Sequence, residues 1–234
     1  MTARPRYDVI RAGKALKTLL ADPDDLPKVF TIIEALPGTA MERMRAKILA
    51  APGGQALLEQ RPDIVPVLSD RDALRAMPAG SLAHAYLAFV ESENISAQGI
   101  LAAAAEGETT QVDEEYRYQH ERLRDTHDLW HAATGYKGDV LGEIALLAFT
   151  LGQNWHPGIA LLVSGAFARG LSQEDTWLVV EGFVRGKRAA FLPAVRWEEL
   201  LALPVDEVRA RLGVGAPPKY TPVRTAELRA QGII

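Results

Sequence analysis

Apolar residues recur along most of the chain with the spacing of three to four that is typical of amphipathic helices. Alternation of apolar and polar positions, which is typical of half-buried strands, does not extend over any useful length. Proline and glycine interrupt the pattern at short intervals, for example in "DPDDLPK" (22–28) and "LPGTA" (36–40). We therefore predict an all-α fold, a multi-helix bundle that forms a single domain over residues 1–234.

Capping residues and breaks position the individual helices. Ser81, Asp139 and Ser172 each precede an apolar segment and suit the N-cap position, and Gly135 suits a helix end. The predicted helices cover 7–21, 25–35, 39–50, a short segment ending before Pro62, another before the proline turn at 77–80, a helix starting at Ser81, one long helix over 114–135, then 140–152, 158–169, 173–190 and two short helices within 196–214; an extended tail follows at 216–222.

The most apolar stretch, residues 140–170, resembles a membrane span at first sight. A span needs ~20 uninterrupted apolar residues. Glu143 stands near the start of the stretch, and "QNWHP" (153–157) divides it in two. Two buried helices joined by a bend fit this pattern better, and we predict no transmembrane helix.

The first twenty residues carry five basic side chains against one acidic one, Asp8, and lack the apolar core of a signal peptide. This segment admits two interpretations. It is either a basic amphipathic helix lying on an anionic membrane surface or a first helix that docks its apolar side on the protein core.

Composition excludes several classes of function. Of the 234 residues, 48% are hydrophobic and 24% charged, as in an ordinary globular protein. The net charge of −4 argues against a nucleic-acid partner, which usually requires a basic face. The absence of cysteine excludes disulfides, thiolate metal sites and cysteine nucleophiles, and is compatible with a reducing, cytoplasmic location.

Ligand-capable side chains concentrate in "HDLWHAATGYKGDVLGE" (127–143). On a helix, His127 and His131 lie one turn apart on the same face, with Asp128 on its flank. In a continuous helix Glu143 would lie ~18 Å further along the axis. The glycines of "TGYKGD" and the capping Asp139 instead predict a helical hairpin that folds Glu143 back towards the histidines.

Two imidazoles and two carboxylates are a suitable ligand set for a divalent first-row metal. Burial of the Glu143 carboxylate at the start of the apolar segment that begins at Ile144 would also be unfavourable unless it were paired or bound to metal. The alternative is purely structural: the histidines hydrogen-bond to neighbours and Glu143 helps to cap its helix. The spacing alone leaves both interpretations open.

A family resemblance adds chemistry that the spacing does not contain. "HDLWH", followed by eleven residues and Glu143, resembles the His-Asp-x-x-His-x11-Glu motif of the ubiquinone (coenzyme Q) biosynthesis protein 4 family. Further segments of the chain are similar to that family, namely "MPAGSLAHAYLAFVESENIS" (77–96), "GEIALLAFTLGQ" (142–153) and "VRWEELLALPVDEVRARLGV" (195–214). Ala83-His84 departs from the glycine and arginine that the family often has there.

The resemblance implies an all-helical protein with a divalent metal, usually described as zinc, on His127, Asp128, His131 and Glu143. It implies oxidative decarboxylation at C1 of a polyprenylated 4-hydroxybenzoate, in which a hydroxyl replaces the carboxyl. Because zinc has no redox chemistry, iron or manganese would suit this ligand set better if oxygen is activated at the metal. The expected partners are the prenylated precursor, other ubiquinone-biosynthesis enzymes, a second copy in a homo-dimer, and the membrane surface, which would place a bacterial protein on the cytoplasmic side of the inner membrane.

Substrate contacts are predicted around this site. Tyr86, Phe89 and Leu147 are candidates for a prenyl groove, with core packing as the alternative for each. Arg124 is a candidate for the carboxylate of the head group. Further basic candidates are Arg117, Arg122, Arg185, Lys187 and Arg188, and His120 is a candidate partner of the metal ligands. Two other functions remain open: a lipid-binding scaffold that organises a biosynthetic complex around a structural metal, and an unrelated metallohydrolase.

Overall fold

The structure of the protein, a computed structural model, describes residues 7–96, 114–168, 170–230 and 232. Within those ranges it contains helices and no named strand; an isolated bridge joins Ser81 to Pro204. The helices are α1 (Val9–Ala21), α2 (Leu26–Ala35), α3 (Ala40–Ala50), α4 (Gly54–Gln60), α5 (Val65–Ser69), α6 (Arg71–Arg75), α7 (Leu82–Ser92), α8 (Glu114–Asp125), α9 (His127–Thr134), α10 (Val140–Gln153), α11 (Pro157–Ala168), α12 (Gln173–Arg188), α13 (Val205–Leu212) and α14 (Thr225–Ala230), with 3-10 turns at Leu192–Ala194 and Trp197–Glu199.

The all-α prediction is confirmed, and so are the predicted caps. The side chains of Ser81, Asp139 and Ser172 accept hydrogen bonds from the first backbone N–H groups of α7, α10 and α12. Gly135 follows α9 in the left-handed conformation, with φ of 81°, and its N–H donates to the His131 carbonyl at 2.8 Å. These local signals therefore determine where the helices around the predicted site begin and end.

The prediction of one long helix over 114–135 is wrong. Helix α8 ends at Asp125 and α9 begins at His127, with Thr126 (φ −96°, ψ 0°) between them. The Thr126 hydroxyl donates to the Arg122 carbonyl at 2.8 Å, the backward bond by which threonine bends helices. Helix α5 is absent from the predicted helices; Pro66 lies in its first turn, a position that proline suits.

One hydrophobic core runs through the part of the chain that surrounds the predicted site. Its largest fully buried side chains are Trp130, Trp197, Tyr86, Tyr136 and Phe149. The ring of Trp130 on α9 meets that of Phe149 on α10 edge-on, with centroids 6.4 Å apart. The core thus packs the two helices that carry the predicted ligands against each other.

Helices α10 and α12 approach so closely that only glycine fits between them. An added Cβ would lie 2.1 Å from the Phe149 carbonyl oxygen at Gly186, and 2.5 Å from the Ala145 carbonyl oxygen at Gly182. Gly152 on α10 faces the Phe183 carbonyl in the same way. These contacts hold α10, which carries Glu143 in its first turn, closely against α12.

Helix α1 buries Ala12 and Ala15 against its neighbours while Ile10 at its start is 74% exposed. The interpretation that α1 docks on the protein core therefore holds for its small residues Ala12 and Ala15, but not for Ile10 at its start. Arg4 and Arg6, two of the five basic residues of this segment, lie outside the described residues. Among the described residues, no helix combines the length and the apolar character that a membrane span requires.

Candidate metal centre

Three of the four predicted ligands converge at the hairpin between α9 and α10. One ligand atom each of His127, His131 and Glu143 lies within 4.8 Å of the others. His131 Nε2 is 3.2 Å from Glu143 Oε1, and His127 Nε2 is 3.8 Å from Glu143 Oε2. The turn at 135–139 folds α10 back so that Glu143 faces the two histidines of α9, as the glycines and the Asp139 cap predict.

His131 is fully buried and presents one nitrogen to the recess between His127, His131 and Glu143. Its Nδ1 lies 3.0 Å from the Tyr136 carbonyl oxygen, an acceptor, so this nitrogen carries the proton. Nε2 is buried and forms no hydrogen bond in the structure, although it faces the Glu143 carboxylate. Phe89 stacks on the same imidazole, with ring centroids 4.5 Å apart and planes 11° apart, and so limits its rotation.

His127 has the same arrangement with a different partner. Its Nδ1 is 3.5 Å from Asp128 Oδ1, which leaves Nε2 directed towards Glu143. The structure therefore places Asp128, buried at 4% exposure, beside His127 and outside the cluster of three. A carboxylate behind a histidine orients the ring and raises its basicity, which is a supporting position; direct ligation by Asp128 stays a prediction.

The charges of the recess perturb one another strongly. Desolvation raises the pKa of the Glu143 carboxyl, but interaction with the adjacent imidazoles, that of His131 first and then that of His127, outweighs this and lowers the pKa to about 2. Desolvation lowers the pKa of His127, yet the hydrogen bond to Asp128 and the Glu143 charge leave it above its ordinary value. The recess therefore stabilises positive charge facing Glu143.

These features fit a divalent cation. A neutral His131, with its proton on Nδ1, would direct a lone pair at a carboxylate oxygen 3.2 Å away, and this is unfavourable unless a proton or a metal lies between them. Two imidazole Nε2 atoms and a carboxylate are also an established donor set for zinc, iron and manganese. His131, His127 and Glu143 are the residues that would hold the ion.

The recess is open on one side. The side chains of His127 and Glu143 are 36% and 42% exposed, whereas His131 at the bottom is at 0%. Phe89 and Leu147, both partly exposed, lie beside it: Phe89 on the His131 ring and Leu147 one turn after Glu143. Tyr86 is buried, and its pKa is raised first by burial and then by the charge of Asp128, which puts its phenol near that carboxylate.

Three of the six predicted basic contacts, Arg122, Arg124 and Arg185, have partners within the chain. Arg122 is 5% exposed and forms a two-pronged ion pair with Glu198 at 2.6 and 2.8 Å. Arg185 donates to the carbonyls of Val214, Thr134 and Ala216. Arg124 donates to Asp125 at 2.7 Å, and its role towards a substrate stays a prediction.

The remaining histidines lie apart from the cluster. Burial first, and then the charge of Arg124, lowers the pKa of His120 against the opposing effect of Asp125. The charge of His120 in turn helps to lower the pKa of His156. The role of His120 as a partner of the ligands stays a prediction. His156 accepts the Gly158 N–H at 3.0 Å, and His84 contacts the Arg75 carbonyl at 3.1 Å, which agrees with structural roles.

Sequence reasoning missed the groups that hold the hairpin. Arg209 donates to the Ala132 and Ala133 carbonyls at the end of α9. Tyr220 bonds to the turn before α10 through its hydroxyl. Both residues lie more than 70 positions from their partners, so no local spacing could indicate them.

Fold and site together define an all-helical protein with a histidine–glutamate recess suited to a divalent metal. The sequence model of the family described as "Coenzyme Q (ubiquinone) biosynthesis protein Coq4" matches residues 8–218, nearly the whole chain. The chain belongs to this family.

Relatives and a solved structure agree with this assignment. A mitochondrial ubiquinone biosynthesis protein COQ4 from Pyricularia oryzae is 30% identical over 238 residues, covering 97% of this chain and 76% of the relative. A second, from Talaromyces stipitatus, is 31% identical and covers 92% and 75%. The chain spans 65% of the length of the relative from Pyrenophora tritici-repentis and 64% of that from Phaeosphaeria nodorum. A crystal structure of a candidate ubiquinone biosynthesis protein from Nostoc punctiforme superimposes with a TM-score of 0.66 at 26% identity, covering 90% of this chain and all of the other.

Proposed function

We propose that this protein acts in ubiquinone biosynthesis as a metal-dependent oxidative decarboxylase of a polyprenylated 4-hydroxybenzoate. The ring would lose its C1 carboxyl as CO2 and gain a hydroxyl there. This is a two-electron oxidation, and with dioxygen as the proposed oxidant it balances as carboxylic acid, O2 and H2O giving phenol, CO2 and H2O2. The observation that carries the proposal is the buried Nε2 of His131, which forms no hydrogen bond and faces a Glu143 carboxylate oxygen 3.2 Å away. It supports a bound cation, and family membership connects that cation to quinone chemistry.

A metal held by His127, His131 and Glu143 would supply Lewis acidity, polarising the carboxylate or phenolate of the substrate. The chain's own contribution is orientation. The Tyr136 carbonyl and Asp128 hold the protons of the two histidines on Nδ1, so that both Nε2 atoms face the recess. Phe89 holds the His131 ring plane by stacking.

The open side of the recess supports a catalytic rather than a purely structural metal. Structural sites are usually closed by four protein ligands, whereas catalytic sites retain an open position. Among the residues that the structure describes, three side chains converge here, and those of His127 and Glu143 are more than one third exposed. A head group could therefore reach the ion from solvent while His131 stays dry.

We propose Phe89 and Leu147 as contacts for the start of the prenyl tail, since both are partly exposed next to the ligands. Tyr86 is fully buried, so its role would be limited to the phenol near Asp128. Arg124 remains the proposed head-group contact with the weakest support, because Asp125 already pairs with it.

The proposed partners are the inner membrane surface, other ubiquinone-biosynthesis enzymes and a second copy of the chain. For the membrane, the support is the start of α1, where Tyr7, Val9 and Ile10 are exposed beside Lys14 and Lys17. Apolar and basic groups on one helix face fit an anionic bilayer. Sedimentation with vesicles that contain or lack anionic lipid tests this, and Ile10→Glu should abolish co-sedimentation.

The decisive experiment compares His131→Ala and Glu143→Gln with the control His84→Ala in cells that depend on this protein for quinone. Quinone content, metal content after oxygen-free purification, and helical content by circular dichroism are measured. We expect both site variants to lose metal and quinone while folding normally, and the control to retain both. In vitro, release of labelled CO2 from a substrate labelled in its carboxyl should require the metal.

Each other outcome points elsewhere. Quinone output that survives loss of the metal would support the scaffold function and end the catalytic proposal. Wild-type protein without a divalent metal would refute the metal centre itself. Iron or manganese in the purified protein would indicate oxygen activation at the ion, and zinc would limit the ion to positioning and polarising.

A further inference from the structure

The segment 214–224 crosses the hairpin turn as a strap and bonds to it repeatedly. At its start, the carbonyls of Val214 and Ala216 accept hydrogen bonds from Arg185, which also binds the last carbonyl of α9. Near its end, the Val140 N–H donates to the Val223 carbonyl at 3.0 Å. Arg224 forms an ion pair with Glu93. The strap is therefore held at both ends.

Tyr220 makes the central contact of the strap. Its hydroxyl accepts the Lys137 N–H at 2.8 Å and donates to Asp139 Oδ2 at 2.8 Å. The Tyr220 hydroxyl fits here because residue 142 is glycine: an added Cβ at Gly142 would lie 2.5 Å from this hydroxyl. The phenol thus joins two positions of the turn with bonds of normal length.

Asp139 transmits this contact to the first turn of α10. Its Oδ1 accepts the N–H groups of Leu141, Gly142 and Val223, and its carbonyl accepts the Glu143 N–H at 2.9 Å. The direction in which Glu143 leaves α10 therefore depends on how Asp139 is held.

We propose that Tyr220 is a positioning residue of the metal centre: by holding Asp139 and Lys137, its hydroxyl aims Glu143 at His131. This inference rests on the proposed metal site. Tyr220 lies two residues beyond residues 8–218, which the family model matches. Partners outside the ligand shell typically change metal affinity by about 10–100-fold, and we expect about tenfold for a contact one residue further removed.

The test measures zinc affinity by competition with a chelator, and the thermal midpoint of the metal-free protein. Tyr220→Phe is compared with Tyr118→Phe, whose hydroxyl contacts the Pro62 carbonyl away from the site. Asp139→Asn provides a second variant, because asparagine caps helices as well as aspartate but offers no second acceptor oxygen to Tyr220. We expect about tenfold weaker zinc binding for Tyr220→Phe and Asp139→Asn, little further loss in the double variant, and no change for Tyr118→Phe.

The outcomes separate this inference from the function on which it rests. If the wild type binds zinc and Tyr220→Phe binds it within twofold as tightly, the positioning role is wrong while the metal centre stands. The same holds if Tyr220→Phe loses its helical signal, since the residue would then serve the fold. If neither zinc nor manganese binds the wild type, the metal centre fails and the inference fails with it.

Discussion

Substituting Gly186 by alanine is the most direct test of how α12 supports the helix that carries Glu143. The new Cβ would lie 2.1 Å from the Phe149 carbonyl oxygen of α10 and 2.8 Å from its carbonyl carbon. Ordinary contact between such atoms begins near 3.4 Å. The two helices would have to separate locally by roughly 1 Å, because neither a helix carbonyl nor a Cβ can turn aside.

The magnitude follows from two opposing effects. Overpacking of a tight core costs typically about 1–3 kcal/mol, and a backbone obstacle places Gly186→Ala at the upper end, about 3 kcal/mol. Alanine is favoured over glycine within a helix by ~1 kcal/mol. We therefore expect a net loss of about 2 kcal/mol, which for a chain of this length lowers the melting temperature by roughly 4–8 °C.

Urea unfolding followed by circular dichroism measures the loss, with Gly13→Ala as the matched control. Gly13 lies within α1, where an added Cβ meets no atom within 4 Å. The same chemical change should there stabilise the protein by about 0.5–1 kcal/mol. Equal effects at the two positions, or an unchanged Gly186→Ala protein, would refute the close packing of α10 on α12.

Two further predictions concern groups away from the recess. Arg122→Ala should destabilise the protein by about 3 kcal/mol, the lower end of the range for a broken buried ion pair, because Glu198 is partly exposed. Arg211→Ala breaks an exposed ion pair and should change the free energy of unfolding by at most about 0.5 kcal/mol. Chemical unfolding measures both variants, and similar losses would contradict this difference. Burial first, aided by neighbouring positive charge, lowers the pKa of His156 from 6.5 to about 4. The unfolded chain then binds the proton more readily between these two values, so this part of the stability is complete above pH 6.5 and falls by about 3 kcal/mol as the pH drops to 4. His156→Asn should flatten the stability profile over this interval, and an unchanged profile would show that the histidine is not responsible.

Residue spacing predicted part of the candidate site correctly. The one-turn separation of His127 and His131, the glycine at 135 and the cap at 139 predict the hairpin, and the structure confirms that Glu143 returns to the histidines. The same spacing placed Asp128 on the flank of the histidine face, where its side chain lies against His127, and its direct ligation of a metal stays a prediction. A flank position on a helix admits several rotamers, and packing rather than periodicity selects among them.

The charged residues show the opposite limit. The sequence offered Arg122 and Arg185 as candidates for substrate contact. Tertiary contacts bury the first against Glu198, and the second donates hydrogen bonds to backbone carbonyls. Nothing within a few residues of either arginine distinguishes these outcomes, because each partner lies tens of positions away in the chain.

The sequence by itself determined the helical class, most helix ends and the positions of the candidate metal ligands, because periodicity, capping and turn formation depend on neighbours within about four residues. Only the tertiary structure decided which nitrogen His131 presents, which glycines admit a neighbouring helix, and which tyrosine holds the turn before Glu143. Those features depend on groups such as Tyr220 and Asp139, 81 positions apart, that meet only when the whole chain has folded.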